Sequence, residues 1–170
     1  NFLSKITKIN RLNVVGISRK DDQEYFNVLS VKKKGDKIEI DSLSSYLGRE
    51  ELFKNINSKL PMLLVIEGKG ILNREVNFEN DSDIAWYKNI DHSSIYFTSI
   101  KTPKSSFMSF CRKNIVEEYK ALFSEYKTAV LDIYLGSFLS VLLYSNIKNE
   151  TILSGELSLY FEDDFLANFS

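Results

Sequence analysis

The chain has 170 residues, 44% apolar and 13% aromatic, with 22 Lys and Arg against 23 Asp and Glu, for a net charge of −1. That length suits one domain, or one domain plus part of another, and the apolar content is ample for a packed core. Balanced charge argues against a non-specific nucleic-acid binder, and low glycine and proline counts argue against a disordered chain.

Leu12–Ile17 and Tyr25–Val31 read as strands joined at Asp21-Asp22, and Lys37–Asp41 alternates as a third strand after the Gly35-Asp36 turn. Together they predict an antiparallel meander. The period then changes: Leu43, Tyr46, Leu47, Leu52, Phe53 and Ile56 fit a helical face that Gly48 can split. Met62–Ile66 is a continuous apolar run, as in a strand covered on both faces. With Gly68-Lys69-Gly70 and the alternating segment up to Val76, it predicts a hairpin over Leu60–Val76. Asp81 or Ser82 is the expected cap of a short helix carrying Ile84 to Tyr87. Ser94–Lys101 alternates as a strand that Pro103 ends.

The spacing of Phe107, Phe110, Cys111, Ile115, Tyr119, Leu122, Phe123 and Tyr126 predicts a long amphipathic helix over Ser105–Tyr126, burying Phe110, Ile115, Leu122 and Phe123. Ala129–Ile133 reads as a buried strand, expected parallel to the first. Ser137–Ile147 reads as an apolar helix. Glu150–Leu153 and Glu156–Phe161 read as strands around Ser154-Gly155. The order β-β-β-α-β-β-α-β-α-β-α-β-β places the chain in the α/β class, a mixed sheet with flanking helices.

Residues able to carry chemistry are few. The single Cys111 excludes an internal disulfide framework and a Cys-based zinc site, and reads as a small helix residue. The single His92 lies in a polar loop. Lys32-Lys33-Lys34 is the basic run and reads as a solvated strand end. Among the carboxylate pairs, Asp21-Asp22, Glu50-Glu51, Glu117-Glu118 and Asp163-Asp164 read as solvated, and Asp81 with Asp83 as at best a weak cation site. Gly68-Lys69-Gly70 is followed by a strand, not by the helix that a phosphate loop requires. The residues therefore nominate no catalytic, cofactor-binding or metal-ligating group. No apolar stretch approaches the roughly twenty residues that span a bilayer.

In Leu12–Ser18, in the Leu60–Val76 segment and in Phe107–Leu135, the chain resembles the actin-like cytoplasmic proteins of type IV pilus and type II secretion machines. These are the PilM and GspL type, relatives of FtsA. The resemblance implies an actin-like (ribonuclease H-like) half-fold. Residues 10–147 would form a first actin-like subdomain and 148–170 the start of a second, truncated one. The missing initiator Met and the abrupt end leave room for a membrane segment or second domain outside the chain, and membrane contact is expected only through such regions. At the phosphate-binding hairpin of nucleotide-binding relatives, an Asp stands where this chain has Ser18, which cannot hold magnesium-bound water as a carboxylate would. Asp21-Asp22 puts negative charge where a phosphate would sit, and no Asp-x-Gly occurs near Ser154-Gly155. The function implied is a non-catalytic scaffold, not an enzyme and without cofactor, cytoplasmic and peripheral to the inner membrane. It would bind protein subunits of a secretion or pilus machine through the exposed meander and its sheet edge, with no nucleic-acid partner and with a homodimer left open. The alternative is an actin-like ATPase whose site for ATP and magnesium needs a second half. An unrelated α/β binding module is the third reading.

Overall fold

The computed structural model describes residues 9–139, 141, 151–154 and 156–170. They fall into two compact units, one from residues 9–69 with Glu117–Tyr134 and the other from Gly70–Val116 with the described residues from Leu135 onward.

The first unit is built on the meander. Strands β1 (Arg11–Lys20), β2 (Gln23–Lys34) and β3 (Lys37–Leu47) pair antiparallel, and β4 (Met62–Gly68) lies parallel to β1. With β8 (Val130–Leu135) the sheet order is β3-β2-β1-β4-β8. The segment read as Ala129–Ile133 thus takes its place in the sheet beside β4. Register puts Val15 opposite Val28 and Leu64, and Ile17 opposite Phe26 and Ile66, so these six share one face. All are buried, as are Leu52, Tyr119 and Phe123 from the helices. The opposite face, with Leu12, Val14, Leu29 and Val31, is only half-buried.

β3 runs six residues further than its alternating start suggests. Ser42 to Leu47 continue the ladder against β2, past a bulge at Asp41 between the pairs Val31–Ile40 and Ser30–Ser42. The bulge shifts the alternation by one residue, so Leu43 shares a face with Ile40 three positions before it, while Leu43 and Leu47, four apart, fit a strand and a helix alike. Helix α1 begins only at Gly48, whose φ of 79° breaks the strand, and covers Gly48–Asn55.

The second unit holds two three-stranded sheets. One has the order β5-β7-β6, from β5 (Leu72–Asn77), β6 (Ile95–Lys101) and β7 (Ser105–Arg112). The other has the order β11-β10-β9, from β9 (Thr151–Ser154), β10 (Leu157–Glu162) and β11 (Phe165–Phe169). Phe107, Phe138, Leu159, Phe161 and Leu166 form a buried cluster in this unit, with edge-to-face rings at 5.7 Å for Phe107–Phe138 and 5.1 Å for Phe138–Phe169. Helix α2 (Asp81–Asn89) is capped by Asn80, whose Oδ1 accepts from the Ser82 amide at 2.9 Å, one residue before the expected cap.

Two further expectations are corrected. Leu60–Val76 is not a hairpin: β4 pairs with β1, whereas β5 pairs with β7 in another sheet. The Gly-Lys-Gly segment carries the chain from one sheet to the other. Nor is Ser105–Tyr126 one helix. Ser105–Arg112 is the central strand β7, and helix α3 covers only Lys113–Glu125. Ser105 and Ser109 are buried, and their hydroxyls bond Glu75 at 2.5 Å and Asn73 at 2.7 Å on β5. Those partners lie thirty and thirty-six positions away, outside any window of local periodicity. Cys111 accordingly sits on a strand, buried. The buried positions of α3 are Val116, Tyr119 and Phe123, spaced by three and four, while Phe110 on β7 and Ile115 and Leu122 on α3 are half-buried. The helix expected over Ser137–Ile147 and the boundary at 148 fall mostly on residues outside those described.

Candidate functional site

The polar side chains of the first unit converge at the C-terminal ends of β1 and β4. The β1–β2 turn needs only two residues, because Lys20 pairs directly with Gln23. Asp21 and Asp22 take left-handed φ of 47° and 63°, the geometry of a tight hairpin turn in which Asp is among the tolerated residues. Asp163 and Asp164, between β10 and β11, repeat it with φ of 48° and 66°. Parallel pairing brings Gly68 beside Arg19, and the Lys69 amide donates to the Arg19 carbonyl at 2.7 Å. A cavity of about 250 Å³ results, lined by Arg19, Lys20, Asp22, Gln23, Glu24, Arg49 and Lys69.

Two ion-pair systems occupy its walls. At the mouth, Lys69 Nζ donates to Asp22 at 2.5 Å, and this bond and charge hold the Asp22 carboxyl below its ordinary value. Deeper, Arg49 from α1 grips Glu24 with Nε at 2.5 Å and Nη2 at 3.1 Å, and Nη2 also reaches Glu118 on α3 at 2.7 Å. The Tyr119 hydroxyl donates to the same Glu24 carboxylate. Burial opposes charge on Glu24, but the bonds from Arg49 and Tyr119 outweigh it and keep the pKa low. Burial first, then the adjacent Glu24, push the Tyr119 phenol well above its ordinary 10.0. The guanidinium carbons of Arg19 and Arg49 lie 6.0 and 5.8 Å from the Tyr119 ring centroid, within cation–π range. Nη1 of Arg19 is buried with no hydrogen-bond partner among the described residues.

The arrangement can lock the β1–β2 turn to α1 and α3, and it carries more cations than anions. Its two carboxylates, Asp22 and Glu24, are both committed to ion pairs that hold their pKa values down. Ser18 lies one residue before the cavity, paired with Tyr25 and Glu67, and does not line it. Asp22 does line it, but is already held by Lys69. Sequence reading passed over Glu24, Arg49 and Tyr119, since an isolated Glu, Arg and Tyr separated by 25 and 70 positions carry no local signal.

The other nominated residues lie elsewhere. Asp83 is held by Arg74 at 2.9 Å and by the Asn77 amide at 3.1 Å, so it does not pair with Asp81 around a cation. Arg74 lowers its pKa, and the guanidinium stacks 4.3 Å above Trp86. His92 is exposed, its Nε2 at 2.9 Å from the Tyr87 carbonyl. Lys32 and Lys34 are paired with Asp41 and Glu39 on β3. Among the described residues, no three His, Cys, Asp or Glu side chains are placed to hold a metal ion, and no helix is long and apolar enough to cross a membrane.

No protein-family model and no curated protein matches the sequence. Solved structures do resemble the fold. The cytoplasmic domain of EpsL, an inner membrane component of the type II secretion system of Vibrio cholerae, superposes with a TM-score of 0.54 at 11% identity, over 89% of this chain and 68% of that one. A chain of the PilM–PilN type IV pilus biogenesis complex superposes with a TM-score of 0.58 at 10% identity, over 92% of this chain and 60% of that one. The chain therefore spans about two thirds of the length of these structures. A Bacteroides thetaiotaomicron protein with an actin-like ATPase fold and unknown function reaches a TM-score of 0.47 at 10% identity. The fold is a mixed-sheet α/β arrangement shared with the EpsL cytoplasmic domain and with the chain of the PilM–PilN complex, as the resemblance implied.

Proposed function

We propose that this chain is an actin-like scaffold module in a secretion or pilus assembly machine, acting by binding other protein subunits and not by turning over nucleotide. The observation that carries the non-catalytic reading is the Lys69–Asp22 ion pair across the mouth of the polar cavity. In an actin-like arrangement the first hairpin turn faces the nucleotide phosphates. Here that turn presents two carboxylates, one already neutralised from within the chain. A phosphate entering would have to displace Asp22 from Lys69 and approach Asp21, with no Gly-rich backbone amides to receive it. The fold likeness to a secretion-system domain and to a pilus complex supports the setting. On this reading the chain works on the cytoplasmic side of a membrane, with protein subunits of the machine as partners. Residues 10–147 correspond to a first actin-like subdomain and 148–170 to the opening of a second.

A specific observation favours the second reading, an ATP-binding protein. Arg19, Lys20, Arg49 and Lys69 surround the cavity, and the buried Nη1 of Arg19 is a donor without an acceptor among the described residues. Titration calorimetry with ATP and magnesium decides between the two. The scaffold reading expects no heat of binding at millimolar nucleotide, for this chain and for any longer form of the protein, together with copurification of a defined pilus or secretion subunit. Micromolar binding by either form makes the ATP-binding reading the correct one.

A further inference from the structure

The outer edge of the first unit's sheet is β3, and its side chains are arranged in an unusual way for an edge. Ile38, Ile40, Leu43 and Leu47 are 76%, 70%, 70% and 53% exposed. Register places all four on one face, opposite Lys33, Val31, Leu29 and Tyr25 of β2, because the bulge at Asp41 restores Leu43 and Leu47 to the side of Ile38 and Ile40. Edges are normally blunted by charge. Here the acids of β3 are spent inward: Asp41 is bonded by Arg11 and by Lys32 at 3.1 Å, and Glu39 by Lys34 at 3.3 Å.

What remains unneutralised lies at the two ends. At the start of β3, Lys33 and Lys37 are exposed, and neither takes part in an ion pair among the described residues, with Asp36 in the turn beside them. At its end, Glu50 and Glu51 open α1, and the Leu47 amide donates to the Glu51 carboxylate at 2.8 Å, holding it beside the strand terminus. The cation there, Arg49, is turned onto Glu24 and Glu118. The edge is basic at one end, apolar along its length and acidic at the other.

A strand with that polarity is complementary to itself run antiparallel. We propose that β3 is the contact between two copies of this chain, paired edge to edge about a two-fold axis so that the two five-stranded sheets become one. With Asp41 looped out on each copy, the axis passes at Leu43, which meets its own counterpart. Ile38 then faces Leu47 of the partner, and Ile40 faces Ser45. Lys33 and Lys37 of each copy come to the Glu50 and Glu51 end of the other. No like charges fall directly opposite each other, a condition for stable cross-strand pairing. The contact is isologous, so every favourable pair occurs twice. This inference stands apart from the scaffold reading, which holds whether or not the chain pairs with itself.

Sedimentation equilibrium of the 170-residue chain, from micromolar to several hundred micromolar, tests it. A monomer–dimer equilibrium is expected. Leu43→Lys, which sets two ammonium groups face to face on the axis, should weaken the dimer at least a hundredfold while leaving the circular dichroism melt in place, since Leu43 is mostly exposed. Lys37→Glu and Glu50→Lys should each weaken the dimer about tenfold, and combining both changes in one chain should restore it, because both ends then reverse together. A chain that stays monomeric at every concentration overturns the proposal. So does a dimer indifferent to Leu43→Lys, or a double reversal no tighter than the single ones. A monomeric chain that still copurifies with a machine subunit overturns this proposal alone and leaves the scaffold reading standing.

Discussion

Gly68 decides how closely β4 can end against β1. Its φ is 89°, and a Cβ there would lie 2.2 Å from the Arg19 carbonyl oxygen, which already accepts from the Lys69 amide. Left-handed strain and the backbone clash act together, so Gly68→Ala should cost about 2 kcal/mol or more, read as a lower urea midpoint. Gly35, with open space around its missing Cβ, keeps only the conformational part of that penalty. At Glu24 the depressed pKa has a pH consequence. A carboxyl whose folded pKa lies below its unfolded value stabilises the fold fully above the ordinary range near 4.5, and loses that contribution as pH falls through the folded value. The wild-type chain should therefore lose stability below about pH 5 more steeply than Glu24→Gln. Equal acid slopes in urea titrations of the two would show that the Arg49 and Tyr119 bonds do not hold the charge.

Helix α3 shows how a partial reading of an element can still place its core. Phe123 is completely buried and meets Phe53 edge to face at 5.1 Å, while Phe53 stacks on Tyr126 at 3.7 Å. Phe123→Ala should cost roughly 3–5 kcal/mol through lost transfer energy and the cavity left behind. Leu122→Ala, half-buried one position away, should cost clearly less, and denaturant midpoints at unchanged slope compare the two. The preceding strand β7 mimics a helix because Phe107, Phe110 and Cys111 are spaced by three and four, although in the strand Phe107 and Cys111 share one face and Phe110 lies on the other. Its three buried serines, Ser105, Ser106 and Ser109, are what separates the cases. In a strand the Ser105 and Ser109 hydroxyls reach acceptors on β5, and a buried hydroxyl without an acceptor is costly. Similarly, the β3 ladder continues because Ser45 finds Asn27 at 2.7 Å across the pair.

For the molecule as a whole, the two proposed roles belong to two places in the first unit: the polar cavity at the strand ends and the bare edge of β3. The cavity predicts an absence of ATP binding, and the edge predicts a salt-sensitive dimer. Raising ionic strength screens exposed charges, so the dimer association constant read by sedimentation equilibrium should fall between about 0.05 and about 0.5 M salt if Lys37 and Glu50 contribute. The sequence by itself determined the meander, the apolar strand Met62–Ile66 and the α/β class. Each of these depends on local period, turn chemistry or composition, which act over a few residues. Tertiary structure alone decided that Gly68-Lys69-Gly70 links two sheets, that Ser105–Arg112 is a strand, and that Glu24, Arg49, Glu118 and Tyr119 meet. The cause is the same in each case. A strand and a polar cluster are completed by partners distant in the chain, and no window of neighbouring residues contains the hydrogen bonds that stabilise them.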